Sequence, residues 1–120
     1  MKRKKLPSRQ RCWQVHRWLQ RTYPVKGGTR IRVARKMPSE FRNCDGVIVF
    51  DVSPPLIWIN GLRSRSTMIY ALLHEYAHAL LHDRHRDWKS IEHSDSFYRI
   101  YGVLERHWVE GGGEGESLDF

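Results

Sequence analysis

The stretch from Thr67 to His82 constrains this chain more than any other. Ile69, Leu72, Leu73, Tyr76, Ala77 and Leu80 recur along it at the spacing of one broad side of an α-helix. On the same helical wheel Thr67, Ala71, His74, Glu75, His78 and His82 share the opposite arc. A helix that buries its apolar side must then present two histidines and a glutamate as one face. Ser64 or Ser66 is placed to cap its start, and the pattern runs to about His82. A helix this apolar has to be buried deeply, so the rest of the chain must supply its cover.

That cover can be read in outline. Between residues 9 and about 23, Cys12, Val15, Trp18, Leu19 and Thr22 follow helical spacing, and Pro24 with Gly27-Gly28 closes the segment. From Thr29 to Lys36 the sequence alternates, Ile31 and Val33 against Arg30 and Arg32, as a half-exposed strand does. Gly46 to Val52 is β-branched and almost continuously apolar, which predicts a more central strand. After Pro54-Pro55, Leu56 to Ile59 reads as a short third strand ended by Asn60-Gly61. Beyond a polar loop from Asp83 to Glu92, Phe97, Ile100, Tyr101, Leu104 and Trp108 form the apolar stripe of a last helix, with Ser94 as its N-cap. The expected class is α+β: a small mixed sheet packed on the Thr67–His82 helix, with N-terminal and C-terminal helices. At 120 residues one core is expected, a single domain over residues 1–110, and residues 111–120 read as a flexible, Gly-rich acidic tail.

Charge is distributed unevenly. Thirteen of the 21 Lys and Arg residues precede Glu40, the first acidic side chain, and the net charge is +8. A cationic front end that carries tryptophans suits contact with nucleic acid or another polyanion; it also suits a solubilising face. Cys12 and Cys44 show no CxxC spacing, so neither a disulfide framework nor a Cys-rich zinc knuckle is expected. Met1-Lys2-Arg3-Lys4-Lys5 is followed by Pro7, Ser8, Arg9 and Arg11 where a signal peptide needs an apolar run. The longest apolar stretch, Val47 to Phe50, is far too short to cross a bilayer. The expectation is a soluble, cytoplasmic protein.

His74-Glu75-Tyr76-Ala77-His78 is an HExxH motif. On a helix the two histidines lie one above the other, about 5–6 Å apart at Cβ, so both imidazoles can reach one metal ion. Glu75 projects about 100° round the helix from His74 and stands beside the ligands. Zinc held by three protein ligands keeps an open position, where it lowers the pKa of water to around 7 and polarises a carbonyl. A carboxylate alongside takes the proton of the attacking water and returns it to the leaving amine. This is the chemistry of a zincin-type metallopeptidase with one zinc ion, Glu75 as general base, and a protein or peptide as substrate. The different reading is a nucleic-acid-binding module in which zinc is structural and the basic N-terminal helix does the work.

The third ligand is less constrained. The arrangement HExxHxxGxxH would need Gly at 81 and His at 84, where this chain has Leu81 and Arg84. His93, nineteen residues after His74 and at the mouth of the last helix, is the favoured third ligand. Glu92, Asp95 and His85 are alternatives; His82, at the helix end, suits a surface position where an imidazolium complements the dipole. Asp95 either orients His93 or is an acid in a helix's first turn. Among Tyr98, Arg99 and Tyr101, a donor to the oxyanion of peptide hydrolysis can be sought, although Tyr101 lies in the apolar stripe. The strand Leu56–Ile59 is placed to line the cleft and pair with an extended substrate.

His74-Glu75-Tyr76-Ala77-His78 with the downstream run His93-Ser94-Asp95-Ser96-Phe97 resembles the SprT-like metallopeptidases, especially their short phage versions, over residues 29 to 110. The resemblance implies zinc on His74, His78 and His93, Glu75 as the catalytic residue, and a bacterial or phage-infected host cell as the setting. It also implies a link to DNA, since better-known members cleave proteins attached to DNA. Two features depart from the pattern: Ser94 stands where a glycine usually follows the third histidine, and no C-terminal Cys-rich zinc ribbon is present. A second stretch, Ile59-Asn60 followed by the helix ending His74-Glu75-Tyr76-Ala77-His78-Ala79-Leu80-Leu81-His82, is similar to the ImmA/IrrE-type peptidases, which cleave repressors. That family implies an acidic third ligand, Glu92, Asp95 or Glu105 here.

Overall fold

The computed structural model describes residues 7–84 and 94–111. In chain order they form α1 (Ser8–Thr22), β1 (Arg30–Ala34), a 3-10 turn at Ser39–Phe41, β2 (Gly46–Val49), β3 (Leu56–Asn60), α2 (Arg65–Arg84) and α3 (Asp95–Glu110). This is an α+β fold with three helices and one mixed three-stranded sheet. Among the described residues, no helix is long and apolar enough to cross a membrane.

The strand order is β1-β3-β2, with β1 parallel and β2 antiparallel to β3. Ile31 pairs with Ile57 and Val33 with Ile59, while Ile48 faces Ile57 from the other side. Because side chains alternate across a strand, these isoleucines and Val33 share one face of the sheet. That face meets α2, whose Met68, Ile69, Leu72, Leu73, Tyr76, Ala77, Leu80 and Leu81 are all buried in the same core. Cys12, Val15 and Leu19 of α1 and Phe97, Leu104 and Trp108 of α3 close that core from two further sides. Cys12 is buried and Cys44 exposed, and neither is in a disulfide.

Two expectations for the sheet are overturned. The apolar run at 46–52 is not a central strand: β2 is an edge, it ends at Val49, and β3 occupies the middle. The run is apolar on both sides because one face of β2 meets α2 while the other is half-buried at Val47 and Val49. For the same reason β3, flanked on both sides, has no open edge to offer a substrate strand.

The helix ends follow the expected capping chemistry. The Ser64 hydroxyl accepts the Thr67 backbone N–H at 3.2 Å at the start of α2. Ser94 does the same for Phe97 at 3.4 Å at the start of α3. The basic N-terminal third is not uniformly a surface. Arg11 is buried, its guanidinium 5.3 Å from the centre of the Trp108 ring; Arg32 lies 5.2 Å over Trp58. Both are cation–π pairs that spend charge on packing. Thr22, expected on the buried stripe of α1, is exposed.

Candidate metal centre

The motif is helical throughout. Its two intervening residues, Tyr76 and Ala77, are completely buried. The Tyr76 hydroxyl donates to the Tyr23 carbonyl at 2.6 Å, tying α2 to the end of α1, and burial, with Asp83 nearby, pushes the phenol well above its ordinary range. These core contacts set the rotation of α2. Tyr76 and Ala77 pointing inward leave His74, Glu75 and His78 to turn the other way.

The His74 and His78 rings lie 5.0 Å apart, centre to centre. His74 Nε2 is 4.0 Å from Glu75 Oε2, so the carboxylate stands beside the imidazole pair. His74 keeps 35% of its side chain exposed and Glu75 11%; His78 lies deeper. The depth of His78 has a cause in α3, since the fully buried Phe97 ring stacks on it at 4.3 Å and meets His74 edge-on at 4.9 Å. Tyr101, one turn further on, flanks His74 at 5.7 Å.

His74 and Glu75 open into a cleft of about 610 Å³ bounded by Tyr70 and Ala71 of α2, Tyr101 of α3 and the segment Asn43–Gly46 leading into β2. That segment is held by Asn60, which is buried at the end of β3. Its side-chain amide donates to the Cys44 carbonyl at 3.2 Å, and its backbone N–H donates to the Asp45 carbonyl at 2.9 Å. Arg63 clamps the same wall, 2.8 Å from the Asp45 carboxylate and 3.3 Å from the Asn43 carbonyl. The Tyr101 phenol donates to Glu105; burial first, then the Glu105 carboxylate and Tyr70, push its pKa up to about 12, so it stays protonated at neutral pH.

The structure thus brings together His74, Glu75 and His78, as the motif spacing requires. His93, with Glu92 and His85, lies outside the described residues. Asp95 is exposed in the first turn of α3, and Glu105 is engaged by Tyr101. Among the described residues no His, Cys, Asp or Glu joins the pair to make a group of three. His82 stacks on Phe50 at 4.2 Å rather than standing free at the helix end. Tyr98 is exposed, and Arg99 borders a separate cavity with Tyr23, Leu80 and Ile100. Of the three candidate oxyanion donors only Tyr101 reaches the cleft.

The donor set fits zinc in kind and spacing: two imidazoles one helical turn apart on one face, with a carboxylate beside them and open space in front of His74 and Glu75. Sequence reasoning missed the wall Asn43–Gly46 and Tyr70, which lie in irregular chain or off the polar arc. It also missed Phe97 as a cover for both imidazoles; the signal was its place at the head of the α3 stripe.

The chain matches no protein-family model, no curated protein and no solved structure.

Proposed function

We propose that this chain is a zinc-dependent metallopeptidase of the zincin kind, cutting peptide bonds in a protein substrate in the cytoplasm. The observation that carries the reading is the single helix face that holds His74, Glu75 and His78 together, with His74 and Glu75 opening into a cleft and His78 behind them. His74 and His78 would hold the metal, with His93 as the third ligand. When bound, zinc supplies Lewis-acid activation of water and of the scissile carbonyl. Glu75 is the general base: its carboxylate takes the water's proton and passes it to the leaving nitrogen. Its burial beside His74 keeps that carboxylate in a fixed place.

The substrate enters along β2 rather than β3. β2 is an outer strand of the sheet, and Gly46 at its start lines the cleft, so an extended peptide added to that edge passes His74 and Glu75. The resemblance to SprT-like enzymes extends the proposal to substrates associated with DNA.

Glu75→Gln tests the reading. The variant is expected to fold, to retain about one equivalent of zinc, and to lose about a hundredfold to ten-thousandfold in cleavage of an unfolded protein substrate. His74→Ala and His78→Ala should lose the zinc, and His93→Ala should lose it as well if that residue completes the site. A Glu75→Gln variant that cleaves as fast as the wild type removes the catalytic assignment and leaves zinc a structural ion.

A further inference from the structure

The sheet has two faces, and the core uses one of them. Val33, Ile57 and Ile59 point into the cluster to which all three helices contribute. Side chains alternate along a strand, so the residues between these face the other way. They stand in two rungs across the three strands: Arg30, Leu56 and Val49 in one, Arg32, Trp58 and Val47 in the next. Leu56, Val49, Trp58 and Val47 are half-buried, yet none belongs to the core cluster or packs against it. A contiguous apolar patch outside the core is the usual mark of a surface that another molecule covers.

The charge beside the patch narrows what that molecule is. Arg30 and Arg32 stand at the β1 end of the two rungs, and both are exposed. Arg32 holds its guanidinium 5.2 Å over the Trp58 ring. Such a contact fixes where the cation sits without cancelling its charge. Among the described residues neither arginine is in an ion pair, and β1, β2 and β3 contain no Asp or Glu. A second copy of the chain brings its own charge of +8 to this face and is repelled. A phosphate backbone would meet the two arginines but leave Val47, Val49 and Leu56 without a partner. Apolar side chains flanked by carboxylates satisfy both halves of the surface at once.

We propose that the outer face of the sheet docks an acidic, amphipathic segment of a partner protein, with Trp58 as the apolar anchor and Arg30 and Arg32 as its ion-pair partners. This inference rests on sheet register and charge, not on the metal centre or the peptidase reading, and either can fail alone.

The test is peptide display on the immobilised full chain, carrying Glu75→Gln so that no displayed peptide is cut. A random library of about 12 residues is long enough, as helix or extended chain, to cross three strands. Enriched peptides are expected to combine Asp or Glu with Leu, Ile, Phe or Trp. Trp58→Ala should weaken their binding about tenfold or more, as loss of an interface anchor does. Arg30→Glu/Arg32→Glu should weaken it by a similar factor, and peptides remade with Lys in place of their acids should recover binding to that variant, which a damaged fold could not give. No enrichment of acidic apolar peptides, binding unchanged in both variants, or displacement of the peptide by an oligonucleotide overturns the proposal. Tighter peptide binding after Glu114→Gln, Glu116→Gln and Asp119→Asn assigns the face to the chain's own acidic residues, and a dimer that Trp58→Ala abolishes assigns it to a second copy; either result also overturns it.

Discussion

His16 shows how a residue that looks ordinary in the sequence acquires a definite state from its surroundings. Its Nε2 lies 2.7 Å from the Thr29 hydroxyl, which in turn donates to Gln20 at 3.1 Å, and the Tyr76 ring stands edge-on to it. Burial lowers its pKa from 6.5 to about 4, so the folded chain holds a neutral imidazole. Between those values the unfolded chain binds the extra proton. The stability contributed by the neutral ring is complete above about pH 6.5 and is lost as pH falls toward 4. From pH 7 to pH 5 the loss is on the order of 2 kcal/mol. Urea midpoints at the two pH values measure it. His16→Gln, which keeps a hydrogen-bonding group near Thr29 and removes the titration, should flatten the difference by about that amount. No spacing argument singled out His16, because its partners come from the Gly27–Thr29 turn, which periodicity does not describe.

At the scale of elements, periodicity carried the reading a long way and then stopped at a definite place. All three helices, both serine caps and the three strands were legible, because each presents a repeating apolar side or a recognisable terminus. The place of β2 was not, since a strand half-buried on both faces has the same composition as a central one. That error put the proposed substrate edge on β3 rather than on the outer strand β2. What fixes β2 at the cleft is a close approach. A Cβ built on Gly46 would lie 3.1 Å from the Trp58 carbonyl oxygen and 3.3 Å from the Ala71 Cβ, one helical turn before Glu75. Small residues on both sides let the sheet edge rest directly against α2. Gly46→Val should therefore lower unfolding free energy by about 1–3 kcal/mol, through overpacking. In the peptidase reading it should also lower kcat/KM by moving the edge strand away from His74 and Glu75, while zinc content stays at the wild-type level. Denaturant titration, a cleavage assay and metal analysis on the same preparation separate these effects.

For the whole molecule, the proposed ion would join two helices, α2 and α3, that pack against each other. His74 and His78 are carried by α2, and His93 precedes Ser94, the cap of α3. A metal on all three ties the two helices together at the end where Phe97 covers the imidazoles. Because such an ion binds the native chain and not the unfolded one, its free concentration sets part of the stability. A thousandfold excess over Kd contributes about 4 kcal/mol. For a domain of this size each kcal/mol shifts Tm by about 3–5 °C, so saturating zinc should raise Tm by about 12–20 °C over the chelated protein. The wild-type shift should vanish in His74→Ala/His78→Ala. It should survive in Glu75→Gln, since that side chain attends the water rather than the metal. Scanning calorimetry with zinc and with chelator distinguishes the cases. If the double histidine variant shows the full wild-type shift, zinc binds elsewhere, and the face shared by His74, Glu75 and His78 is not a metal centre.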